Sequence, residues 1–223
     1  MSPALQARAL TRILPGPQPV TLVADIDASF EAQSFTVVTG PSGSGKSSLL
    51  YLLGLLDPPT SGDVLVNGET TRRFGNEARG RMRLERFGFV FQFHFLLPEL
   101  SVMDNVMLPM RQLGRIHKGA MRSRAGDLLA SLGIESEARK VPGELSGGQR
   151  QRAAIARALA NDPQYVLADE PTGALDSKNG AAVFSIFRGL ADEGRTVIVV
   201  THDETLAKTA SRAIHIVDGR LAR

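Results

Sequence analysis

"FTVVTGPSGSGKSSLLYLLGLL", Phe35 to Leu56, is the stretch whose reading decides the fold. It opens on a β-branched run that predicts a buried strand and closes on an apolar run of helical length. Between them, Gly40 to Ser47 match G-x-x-x-x-G-K-[ST] at every position. Glycines let backbone N–H groups turn inward around phosphates, and the helix N-terminus adds its partial positive charge. The phosphate site is therefore expected over Gly40, Pro41, Ser42, Gly43, Ser44, Gly45, Lys46, Ser47 and Ser48. Lys46 is expected to reach the β- and γ-phosphates of a nucleotide, and the Ser47 hydroxyl to ligate Mg²⁺.

Outward from this loop, strand and helix patterns alternate. "GDVLVNGE" predicts a strand closed by the Asn67-Gly68 tight turn, and "FGFVFQF", "YVLADE", "TVIVVTH" and "AIHIVDG" predict four more strands. Such alternation implies an α/β fold with a mainly parallel sheet covered by helices. From about Pro98 to Ala160 only helical pattern appears, in "VMDNVMLPMRQLG", "AMRSRAGDLLASLG" and "QRQRAAIARALA". We expect one domain over 1–223, with a catalytic core at about 1–92 and 161–223 and an inserted α-helical lobe at about 93–160.

Two further stretches carry chemistry. In "YVLADEP", Asp169 ends an apolar strand and is expected to hold Mg²⁺ through water. Glu170, directly after it, stands where a water could attack the γ-phosphate and is the candidate general base. In "LSGGQ", Leu145 to Gln149, Ser146 and the glycines open a helix and form a second N-terminus suited to an anion. An ordinary serine N-cap followed by glycines would look the same.

Composition sets the limits. Of the 223 residues, 43% are apolar and 22% charged, as in an ordinary globular protein. There is no cysteine, which excludes disulfides and thiolate metal sites. The N-terminal stretch lacks a signal peptide's apolar core, and no apolar run approaches the ~18 residues of a membrane span. The net charge is only +3, and the basic cluster "RGRMRLER", Arg79 to Arg86, reads as a solvated helix face or as a face toward an acidic surface or partner.

Taken together and in this order, the phosphate loop, Gln92 after a strand, "LSGGQ", "ADEPTGALD" and "VVTHD" resemble the ATP-binding subunits of ABC transporters, over about Leu22 to Leu221. The resemblance implies a P-loop NTPase with an N-terminal antiparallel β part, and it implies ATP and Mg²⁺. In that family two subunits meet head to tail with ATP between them. Carried onto this chain, Gln92 touches Mg²⁺ or the attacking water. Ser146, Gly147, Gly148 and Gln149 serve the ATP of the opposite subunit, Asp176 crosses the dimer contact, and His202 contacts the γ-phosphate and orients Glu170. His94, His117 and His215 are expected to be structural.

The segment "FHFLLPELSVMDNVMLPM" holds the apolar cluster Phe93, Phe95, Leu96 and Leu97, expected both to pack the helical lobe and to line a groove for a membrane subunit. "GLLDPPTSG", "FQFHFLLPELSVMDNVMLP" and "LADEPTGALD" are most similar to the lipoprotein-releasing, macrolide-exporting and haem-exporting group. The expected partners are then a membrane-spanning permease and a second copy of the chain, at the cytoplasmic face of the inner membrane, with no nucleic acid. Nucleic-acid machines with this signature need a coiled-coil insertion or zinc-binding cysteines, and this chain has neither. A regulatory clamp on a membrane partner, as in cell division, stays open as the alternative. Family members usually stack adenine on an aromatic residue, and that position falls here at Ile13; the usual Gly-Glu before the first core strand is Gln33-Ser34, a turn variation.

Overall fold

The computed structural model describes residues 4–203, 207 and 210–222, with side chains at all of these except 177 and 178. Two long strands, β1 (Leu5–Leu14) and β2 (Val20–Phe30), pair antiparallel. With β4 (Ser61–Val66) and β5 (Glu69–Thr70) they form a four-stranded antiparallel sheet of order β2-β1-β4-β5. Asn67, at φ 51°, and Gly68, at φ 81°, make the tight turn between β4 and β5, the left-handed pair that such a hairpin requires.

A second sheet has six strands in the order β10-β9-β3-β8-β7-β6. Five of these run parallel: β3 (Phe35–Thr39), β6 (Phe87–Phe91), β7 (Tyr165–Asp169), β8 (Thr196–Val200) and β9 (Arg212–Val217). The short β10 (Arg220–Leu221) pairs antiparallel with β9. Every residue of β3, β7 and β8 is buried, as expected of parallel strands covered on both faces.

Alternation along these strands sorts two apolar clusters. Val37, Val166 and Val199 point into one, built with α3 (Val102–Leu113), α4 (Lys118–Ser131), α5 (Gly147–Leu159) and α6 (Ser177–Asp192). Val38, Leu167 and Val200 point into the other, with α1 (Lys46–Leu53) and the antiparallel sheet. The period of two places neighbours on opposite faces. Among the described residues between β6 and β7 there is no strand, only α3 to α5 and two short 3₁₀ turns. These helices share one apolar cluster with the parallel strands.

Helix α2 (Asn76–Arg86) carries the basic cluster. Met82 is its one buried residue, and Arg81 pairs with Glu85 along its outer face. Arg79 and Arg83 turn inward instead, donating to Phe74 O at 3.1 Å and Leu55 O at 2.6 Å, so only part of the basic cluster faces solvent. Tyr165 ties the two sheets together, its single hydroxyl proton shared between Asn67 Oδ1 at 2.7 Å and Ala4 O at 3.0 Å. Burial pushes its phenol up to about 12.

Candidate nucleotide site

Strand register gathers the site. Phe91 pairs with Asp169, Asp169 with Val200, and Val38 with Val200. The parallel strands therefore end nearly flush, and whatever follows each of them emerges on one rim. Gly40 follows β3, Gln92 follows β6, Glu170 follows β7 and His202 lies two residues past β8. Ligands of open α/β sheets bind at this carboxyl rim.

The phosphate loop closes tightly. Gly40 at φ 146° and Gly45 at φ 97° take backbone conformations that favour glycine. A β-carbon at Gly40 would strike Ile216 O, and one at Gly45 would strike Leu22 O. Lys46 is 7% exposed, and its ammonium donates to Gly40 O at 2.9 Å and Pro41 O at 2.8 Å. Ser44 Oγ is buried without a partner. An orphaned hydroxyl beside a buried ammonium, inside a ring of backbone, fits an anionic phosphate.

Beside the loop, Ser47 Oγ donates to Asp169 Oδ1 at 2.8 Å, and Tyr51 Oη donates to Asp169 Oδ2 at 2.7 Å. Burial first, and then the bond to Asp169, push the Tyr51 phenol well above its ordinary range. A hydroxyl and a carboxylate are hard oxygen donors, and they fit Mg²⁺.

Glu170 takes φ 45°, a strained conformation for a residue with a side chain. Its backbone N–H is held by Val200 O at 2.9 Å. Glu170 Oε1 stands 2.9 Å from His202 Nδ1, while Oε2 is buried with no partner. One carboxylate oxygen is thus oriented by an imidazole, and the other is left as an acceptor in a protected place. That arrangement can take a proton from water. Gln92 lies over Gly173, where a β-carbon would stand 3.1 Å from Gln92 Nε2.

The signature stretch is held in the helical lobe. Ser146 is the N-cap of α5: its Oγ accepts from Gln149 N at 3.3 Å, and Gln149 Oε1 accepts from Ser146 N at 2.8 Å. The ordinary capping reading is therefore correct as far as it goes. Gly148 faces Asn179, whose Oδ1 would stand 2.8 Å from a β-carbon. Asp176 caps α6, its Oδ1 accepting from Asn179 N at 2.9 Å. Among the described residues no hydrogen bond or ion pair joins residues 146–149 to residues 40–48.

In the apolar cluster, Phe93, Phe95 and Leu97 are 71%, 61% and 45% exposed, while Leu96 packs against the core. Next to it lies a groove of about 350 Å³, lined by Leu56, Arg83, Phe89, Pro109 and Arg157 among others; the four residues expected to line a groove stand outside this one, because Leu96 turns into the core and the other three point to solvent. His117 caps α4 through Nδ1, and His215 Nδ1 lies 2.9 Å from Thr39 Oγ1. Burial and the charge of Arg150 hold the His94 imidazole below its ordinary value.

Sequence reading missed three supports of this site. Tyr51 sits in an apolar helix without a motif. Arg157 donates to the His94 carbonyl at 2.6 Å and also to the Phe95 carbonyl. Asn105, fully buried, accepts from Leu97 N at 2.7 Å and points its amide at the carbonyls of Leu97, Leu100 and Ser101. A buried Asn within an apolar helical pattern was a signal that could have been followed.

The family model described as ABC transporter matches residues 23–173. The chain belongs to the ABC transporter family. This cassette is 48% identical over 203 residues to the lipoprotein-releasing system ATP-binding protein LolD 1 of Chlorobium chlorochromatii, covering 91% of this chain and 82% of that one. It is 46% identical over 220 residues to the macrolide export ATP-binding/permease protein MacB of Burkholderia pseudomallei, covering 98% of this chain. There the cassette spans only 34% of the relative's length. The dimeric structure of MJ0796, a bacterial ABC transporter cassette, superposes with a TM-score of 0.91 at 38% identity, covering 98% of this chain and 97% of that one. A post-hydrolysis dimer of MJ0796 bound to ADP and Pi gives a TM-score of 0.92 at 37% identity. The cassette therefore has the α/β fold of an ABC ATPase. No helix among the described residues is long and apolar enough to cross a membrane.

Proposed function

We propose that this cassette hydrolyses ATP to drive a membrane export or extraction complex, with release of a lipid-bearing protein as the work it performs. The observation that carries the ATPase reading is the Glu170–His202 pair beside Lys46, Ser47 and Asp169 on one rim of the sheet. The phosphate loop, Gly40 to Ser48, grips the phosphates of ATP. Ser47 and Asp169, with Gln92, are the residues that would hold Mg²⁺, which offsets phosphate charge when bound. Glu170 takes the proton of the attacking water, and His202 keeps the Glu170 carboxylate aimed. Ile13 supports adenine by apolar contact: it pairs with Thr21, beside the Leu22 carbonyl that abuts Gly45.

The signature residues Ser146, Gly147, Gly148 and Gln149 serve the nucleotide of a second copy, and Asp176 meets that copy. The α5 N-terminus supplies the partial charge that completes an anion site. Each ATP is then better bound in the closed pair, so binding favours closure and hydrolysis releases it. The exposed Phe93, Phe95 and Leu97, next to the groove, support docking of a short helix from a permease. On this reading the cassette works at the cytoplasmic face of the inner membrane. Lipoprotein release is supported by the 48% identity to LolD 1 over most of both chains.

The test is recovery of the Glu170→Gln variant from solubilised membranes with Mg-ATP. A membrane subunit of few spans with a large extracytoplasmic domain is the expected companion. Recovery of nucleic acid or ribosomes without a membrane subunit would overturn the transport reading.

A further inference from the structure

Asp169 is 8% exposed, and each of its carboxylate oxygens has its own donor. Ser47 and Tyr51 are four residues apart on α1, so their hydroxyls lie on one stripe of the helix. The terminal torsion of an aspartate is broad and roughly two-fold. A single donor on Oδ1 leaves that rotation free, and a second donor on Oδ2 stops it. We propose that Tyr51 is a positioning residue of the metal site, fixing the Asp169 carboxylate through the oxygen that Ser47 does not engage.

The ring is built for this duty. Tyr51 stands edge-on to Phe91, with centroids 6.2 Å apart and planes at 65°. Phe91 is the residue paired with Asp169 in the sheet. The same strand pair thus seats the ring and carries the carboxylate that the phenol holds. With Oδ2 engaged by Tyr51, Oδ1 faces Ser47, whose proton is committed to it. The Ser47 lone pairs are then left for a cation. Outer partners of this kind orient metal ligands, and their loss commonly lowers metal affinity. In this role Tyr51 acts through Asp169, to which its hydroxyl donates. The inference rests on the reading of Asp169 as the acid that holds Mg²⁺.

The experiment is Mg²⁺ titration of fluorescent ADP-analogue binding to the wild-type chain, Tyr51→Phe and Asp169→Asn. Tyr51→Phe keeps the ring against Phe91 and removes only the donor. Its half-saturating Mg²⁺ concentration is expected to rise roughly tenfold, with ADP-analogue affinity in EDTA within about twofold of wild type. An unchanged Mg²⁺ requirement in Tyr51→Phe, alongside a clear shift in Asp169→Asn, overturns the role of Tyr51. Equal loss of affinity with and without Mg²⁺ in Tyr51→Phe shows packing only and also overturns it. No shift in Asp169→Asn removes the metal reading of Asp169, and the inference falls with it.

Discussion

Glu170 Oε1 faces His202, and Glu170 Oε2 is buried and unpartnered. Removing that carboxylate charge should leave the phosphate grip untouched. Glu170→Gln is expected to bind ATP within about twofold of wild type while turnover falls ~10²-fold or more, measured as nucleotide binding and phosphate release on the same protein. Lys46→Ala acts on binding instead. Loss of a buried charge-assisted donor should weaken ATP binding by about 2 kcal/mol, close to thirtyfold. Glu170 was legible from sequence because a charge at the end of an apolar strand has few structural reasons to be there, and Lys46 because the glycine motif around it fixes its place. Tyr51 was not legible, because a tyrosine in "KSSLLYLL" looks like any other member of an apolar helix. Only the register that sets Asp169 opposite Phe91 gives it a purpose.

At the scale of elements, α3 and α5 hold the segment between Gln92 and the helical lobe. Asn105 satisfies backbone groups of Leu97, Leu100 and Ser101 from the buried face of α3. Asn105→Leu strands those groups and should cost about 2–4 kcal/mol. Denaturant unfolding reads the loss, and amide exchange should quicken at residues 97–101 before the rest of the lobe. Strands β3 and β6 to β8 were readable because parallel strands covered on both faces are apolar runs, while β9 was readable from its alternation of buried and exposed residues. β1 was not, and its burial explains why. The pattern of "LQARALTRIL" breaks step after Ala7, where the pairing register shifts and Ala9 takes φ 44°. A bulge of this kind erases the alternation that marks a strand. The Gln33-Ser34 turn departs from family habit in the same local way. Gln33 takes φ 55°, and its N–H is held by Thr196 Oγ1 at 3.1 Å.

At the scale of the whole molecule, the helical lobe holds Ser146 to Gln149 at the head of α5, while Lys46, Asp169 and Glu170 lie on the rim of the parallel sheet. Motif order made the fold and the nucleotide readable along most of the chain. The cargo was not readable, because nothing in an ATP site depends on it. The exposed phenylalanines signal a partner without specifying one, since apolar contact discriminates weakly between helices. In the proposed dimer, one copy's signature completes another copy's ATP site. Light scattering of the Glu170→Gln chain, with Mg-ATP, with Mg-ADP and without nucleotide, tests it most directly. A doubled mass with Mg-ATP only, abolished by adding Ser146→Arg, is the predicted result. A single-copy mass at saturating Mg-ATP would contradict the account.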